Sequence, residues 1–81
     1  MQYAIITLNE GRSGQRYRIT RISSANAMKI RLEELGIIEG TEITPTVIGC
    51  KKEISAYLAR GAQIALRKET AAEILVTEAM P

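Results

Sequence analysis

Residues 24–40 read SANAMKIRLEELGIIEG and carry the one strong helix signal of the chain. Met28, Leu32 and Leu35 recur at i, i+4 and i+7, so at about 100° per residue they share one face. The spacing predicts a helix of about three turns with these three side chains buried. Ala25 falls on the edge of that face, and Ser23 or Ser24 offers an N-cap hydroxyl. Gly36 falls where a left-handed C-cap residue belongs, because glycine has no Cβ to clash at positive φ. With Gly36 at C′, Leu32 is C3 and Ile37 is C″. A Schellman cap brings those two positions together, and both are apolar here. Gly40 marks a further turn. Ile30 lies about 200° round the helix from Met28, on the opposite face. There it is either a lone exposed apolar residue, which needs no reason, or the seed of a contact patch with Ile37 or Ile38.

Strand signals flank the helix. Tyr3 to Leu8 is an apolar run suited to a short extra strand or arm, and NEGRSG (9–14) is a turn by composition. Gln15 to Ile22 alternates, with Tyr17 and Ile19 on one face, until Ile22 breaks the pattern at an expected bend. Thr41 to Gly49 places Ile43 and Val47 on one face with Pro45 between them. A proline there predicts an edge strand or a bulge. After a hairpin loop at 49–52, Glu53 to Ala59 alternates with Ile54, Ala56 and Leu58 expected inward. Arg60-Gly61 turns the chain into a strand carrying Ala62, Ile64 and Leu66. KETAAE (68–73) allows one helical or 3-10 turn, and Ile74 to Thr77 is the last strand. The expected fold is mainly β with one helix: a closed SH3-like barrel of about five strands, an α-helix inserted after the first. Closure would let so thin a sheet bury both of its faces.

The chain of 81 residues is read as a single domain, with a core at about 8–78 and residues 1–7 as an arm or extra strand. Its hydrophobic fraction of 46% argues against disorder. No apolar run approaches the roughly 20 residues that cross a bilayer, and the amino terminus has no signal-peptide pattern. With one cysteine, Cys50, no internal disulfide is available, and a cytoplasmic location is expected. Charge comes in blocks. Arg12, Arg16, Arg18, Arg21, Lys29 and Arg31 precede Glu33, Glu34, Glu39 and Glu42, and Lys51, Lys52, Arg60, Arg67 and Lys68 precede Glu69, Glu73 and Glu78. Such alternation favours a mixed, soluble surface over a continuous nucleic-acid stripe.

The residues that are missing narrow the chemistry. There is no histidine and no aspartate. The ordinary base near neutral pH, the imidazole metal ligand and the Cys–His nucleophile pair are therefore all absent. Glu33 and Glu34 are adjacent on a helix and point apart. No catalytic residue, metal ligand or cofactor-binding residue is expected. Gly11-Arg12-Ser13-Gly14 matches the G-x-x-G of an RNA-clamping loop, but it precedes a strand and does not join two helices, so it reads as a turn. No P-loop pattern occurs. Tyr3, Tyr17 and Tyr57 are the only aromatics, too few for a polyproline groove or a stacking platform.

Four ordered segments resemble the FeoA family, ferrous iron transport protein A. They are Gly14-x-x-x-x-Ile19-x-x-Ile22, Arg31-Leu32-x-x-Leu35-Gly36-x-x-x-Gly40-Thr41-x-Ile43, Ile64-x-Leu66-Arg67 and Ala72-x-Ile74-x-Val76. The likeness runs from about Leu8 to Val76. It implies an SH3-like barrel and a small, non-enzymatic cytoplasmic accessory of ferrous iron uptake. The implied partner is FeoB, the membrane iron transporter with a cytosolic G domain. A related barrel ends the iron-dependent repressors. The hairpin here reads Gly49-Cys50-Lys51-Lys52, where family members often carry a Gly-Asp-Pro-like segment. Two other functions stay open at this point: a nucleic-acid-binding small barrel and a metal-responsive regulatory module. The partner contact is expected on the outer helix face, with Ile30 as anchor, Arg31 and Glu34 as polar rim, and Lys51 and Lys52 steering an acidic partner.

Overall fold

The computed structural model describes residues 4–24, 26–49 and 53–79. In chain order the elements are β1 (Ile6–Thr7), a 3-10 turn (Leu8–Glu10), β2 (Tyr17–Ile22), α1 (Asn26–Glu34), β3 (Glu42–Val47), β4 (Ile54–Ala59), β5 (Ala62–Arg67), α2 (Lys68–Ala71) and β6 (Ile74–Glu78). The six strands form one antiparallel sheet in the order β1-β6-β2-β3-β4-β5.

The expected closed barrel does not form. The sheet ends at β1 on one side and at β5 on the other, and no pairing joins these edges among the described residues. Side chains pack the seam where ladder hydrogen bonds would have closed it. β1 is two residues long, and the chain leaves it at once for the 3-10 turn. α2 lies against both that turn and β5, and Leu8, Thr70 and Ala71 are buried there. The helix count also differs from the expected one, because the segment read as a single turn forms the four-residue α2. The sixth strand is β1, within the stretch read as an arm or extra strand.

Leu8, Tyr17, Ile19, Ile22, Leu32, Ile37, Ile43, Tyr57, Leu66, Ile74 and Val76 belong to one core cluster. Two bulges let the curled sheet keep this core on a single side. One falls in β2 between Ile19 and Arg21, and it returns Ile22 to the core after the alternation breaks. The other falls in β3 between Pro45 and Val47. The proline thus marks a bulge in an interior strand, and the extra residue turns Val47 out to 61% exposure, against the expectation that it would share the face of Ile43. β4 runs in the opposite phase to its hydropathy. Ser55, Tyr57 and Ala59 are buried, while Ile54 and Leu58 face outward. Register explains this, since Ile43 pairs with Ala59 and Pro45 with Tyr57, and directly paired residues share a face.

Burial raises the Tyr57 hydroxyl above its ordinary value, partly opposed by a hydrogen bond with the Ser55 side chain. A group raised in the folded state contributes stability up to the unfolded value of about 10 and loses it as pH climbs through the folded value. Thermal melts are expected to fall more steeply above pH about 10 in the native protein than in Tyr57→Phe. Equal slopes would show that Tyr57 ionises at the same pH in the folded as in the unfolded chain.

Candidate protein-binding site

The C-terminal end of α1 closes in the Schellman geometry expected from the sequence. Ile37 N–H donates to the Leu32 carbonyl at 2.8 Å and Gly36 N–H to the Glu33 carbonyl at 2.9 Å. Gly36 has φ +83°, and Leu32 and Ile37 are each 1% exposed. The chain is then tied back to β2. Gly40 N–H donates to the Ile19 carbonyl at 2.7 Å, and Ile19 N–H donates to the Thr41 carbonyl at 2.9 Å. The Thr41 hydroxyl donates to the Gly36 carbonyl and accepts from Ile38 N–H. These bonds fix the azimuth of the helix on the sheet. At the other end, the Ser24 hydroxyl is buried without a partner among the described residues, so it is not the expected N-cap. Ala25 lies outside the described residues.

The azimuth divides α1 into three faces. Leu32 points into the core and Met28 is half-buried beside it. Lys29 and Glu33 face a shallow cleft shared with Ile22, Ile38 and Glu39. Ile30 and Glu34, one turn apart, stand outward and exposed, as expected, and Arg31 is also exposed. Ile30 keeps 55% of its surface in solvent. Lys51, Lys52 and Cys50 lie outside the described residues.

Sequence reasoning missed what lies on the Arg31 side. Leu35, expected in the buried face, is exposed. It follows the last regular helical residue and overhangs a groove of about 370 Å³ between α1 and β5. Met28, Arg31, Leu32 and Leu35 form one wall, and the consecutive residues Ile64, Ala65, Leu66 and Arg67 form the other. Among the described residues, the only charged ones lining the groove are arginines. The signal that could have found it is the pair of apolar helix positions 28 and 35 facing a strand with no further partner.

The turn at 11–14 is held by its own body. Arg12 N–H donates to the Tyr17 hydroxyl at 2.8 Å, Gly14 N–H to the Pro45 carbonyl at 2.7 Å, and the Ser13 hydroxyl to the Thr46 carbonyl. Arg16 and Arg18 both reach the Glu42 carboxylate, and Arg18 also donates to the Gly40 carbonyl. Among the described residues, no group of three or more Cys or Glu side chains is placed to hold a metal ion.

Solved structures share this fold. A FeoA-like protein from Clostridium acetobutylicum is 27% identical, with a TM-score of 0.82 over 100% of this chain and 93% of its own. Iron(II) transport protein A from Clostridium thermocellum is 23% identical, with a TM-score of 0.85 over 90% of this chain and 45% of its own. A manganese-dependent transcriptional repressor, 19% identical, superposes with a TM-score of 0.82 over 98% of this chain, which spans 44% of the repressor. No curated protein matches the sequence significantly. The FeoA domain model matches residues 6–78, and the chain therefore belongs to the FeoA domain family, whose members are non-catalytic accessories of iron transport.

Proposed function

We propose that this chain is a cytoplasmic, non-enzymatic accessory of ferrous iron uptake that binds an FeoB-type membrane transporter through the outer face of α1. Family membership supports the iron-uptake role. The observation that carries the contact is Ile30, exposed on a capped helix with Glu34 one turn along and Arg31 beside it. Covering the exposed part of that side chain releases about 1–1.5 kcal/mol, roughly a factor of ten in Kd. Such central apolar residues concentrate the energy of small interfaces. Lys51 and Lys52 steer an acidic partner surface, raising the on-rate more than the affinity.

Ile30→Glu is the test. The variant is expected to keep its melting temperature within about 2 °C, since an exposed substitution away from the core changes stability little. It is expected to lose at least tenfold in affinity for the cytosolic part of the transporter, measured by titration calorimetry. Full binding by a stable variant would move the contact off this helix face. Early melting would give Ile30 an internal packing role.

A further inference from the structure

The groove between α1 and β5 is bounded on one side by an unpaired sheet edge. Among the described residues, β5 pairs with β4 alone, from Ala62 opposite Ala59 to Arg67 opposite Ile54. The turn that joins them has two residues, Arg60 at φ +52° and Gly61 at φ +79°, the type I′ combination. In such a hairpin the residues flanking the turn exchange both hydrogen bonds, and the exchange recurs at every second residue. Ala62, Ile64 and Leu66 therefore spend their backbone groups on β4. Gln63 and Ala65 turn N–H and C=O to the open edge, and Arg67 turns its N–H there while its carbonyl, at the N-cap of α2, accepts the first bond of that helix. No backbone or side-chain partner meets those edge groups among the described residues.

An edge of this kind is a template for another strand. Here it runs beside a ready apolar wall. Met28 and Ile64 are half-buried, Leu35 is exposed, and Leu66 closes the floor. Arg31 and Arg67 border the groove, and among the described residues no carboxylate lines it. Arg67 also borders a cleft with Glu53, Lys68 and Glu69 at the far end of the strand, so Arg31 is the cation committed to the groove.

We propose that the β5 edge and the α1 wall together bind an extended acidic–apolar peptide segment of a partner protein by strand addition. The segment hydrogen-bonds to Gln63, Ala65 and the Arg67 N–H, and every second side chain faces α1: apolar ones pack against Met28, Leu35 and Ile64, and one carboxylate between them meets Arg31. Strand addition explains why four consecutive residues of β5 line the groove: the backbone itself is part of the recognition surface. The proposal deepens the partner-binding reading above and rests on it only for the origin of the segment.

The probe is an acetylated, amidated hexapeptide with valine, glutamate and valine at its first, third and fifth positions and threonine between them, so that all three face α1; it is titrated into the isotope-labelled chain and followed by amide chemical shifts. Shifts are expected at Gln63, Ala65 and Arg67 and along the Met28–Leu35 face. The same hexapeptide with lysine in place of glutamate is expected to bind at least tenfold more weakly. Ala65→Pro removes an outward N–H from an edge position that tolerates proline, and is expected to weaken binding at least tenfold. Leu35→Glu alters the wall without touching the strand, is expected to do the same, and decides the matter where the proline variant does not fold. The proposal is overturned by absent shifts at the three edge amides at millimolar peptide, by equal binding of the lysine peptide, or by full binding to either folded variant. Dilution-dependent shifts of the same amides without peptide would assign the edge to a second copy of the chain and overturn it as well. Ile30-dependent capture of the transporter with no peptide binding would fail the groove and leave the accessory function. Peptide binding without any capture would do the reverse.

Discussion

Gly36→Val is expected to lower the melting temperature by roughly 10 °C or more. Gly36 sits at φ +83°, in the left-handed region that closes the Schellman cap of α1. A β-branched residue held there costs on the order of 1–3 kcal/mol, and about 1 kcal/mol moves the midpoint of a domain this size by roughly 4–8 °C. A second effect adds to the strain. A Cβ on residue 36 would stand 2.6 Å from Cδ and 2.8 Å from Nε of Arg60. The Arg60 side chain is flexible and can yield, so backbone strain is the larger cost. The displacement still matters, because the Arg60 stem lies across the cap and its positive charge suits a helix C-terminus. Gly36→Asn is expected to lose less than half as much, since asparagine tolerates the left-handed region better than a branched residue. Paired scanning-calorimetry measurements check both. A valine variant melting within about 2 °C of the native chain would mean that the cap contributes little to the fold.

The cap was readable from the sequence because it depends on neighbours. Leu32, Gly36 and Ile37 lie within six positions of each other, and their types alone specify the turn. The bulges at Ile19–Arg21 and Pro45–Val47 were half-readable. A broken alternation and an in-strand proline announced them, but only the ladder shows that the second one expels Val47. The β4 segment ISAYLA admits two phases, and hydropathy favours Ile54 and Leu58 over Ser55 and Tyr57. The partner strand decides otherwise, by setting Tyr57 opposite Pro45. Closure of the sheet was not readable at all. Whether β1 and β5 meet depends on what packs between them, and KETA (68–71) carries no local sign that it docks on the turn after β1. The exposure of Leu35 also hangs on the open sheet. Among the described residues no strand lies beyond β5, and the side chain that the helical period places over the groove stays exposed. Ile30, by contrast, could be assigned to the solvent side from angle alone, because it lies opposite the residues that anchor the helix.

Leu32→Ala is expected to release α1 while leaving much of the sheet folded. Leu32 is fully buried in α1, while Met28, one turn earlier, is only half-buried. Truncating a buried leucine costs about 2–5 kcal/mol. The strands, in contrast, hold one another through the β2–β6 and β4–β5 ladders, and they supply most of the core cluster that Leu32 joins. A lost contact of that size can exceed what keeps so lightly anchored a segment docked, and locally weak segments open before the global structure does. Native-state hydrogen exchange separates the outcomes. The amides of Leu35, Gly36 and Ile37, which donate into the cap, should lose protection almost completely. Those in the β2–β6 ladder should stay protected, with losses well below the 30-fold or more that 2 kcal/mol implies. Loss by the same factor in both places would show one cooperative unit. The expected split has a consequence for binding. Ile30, Arg31 and Glu34 ride on α1, and so do Met28 and Leu35 of the groove wall. Undocking should abolish transporter binding and peptide binding together in a protein whose sheet is still intact, a pattern that neither Ile30→Glu nor Ala65→Pro alone would produce.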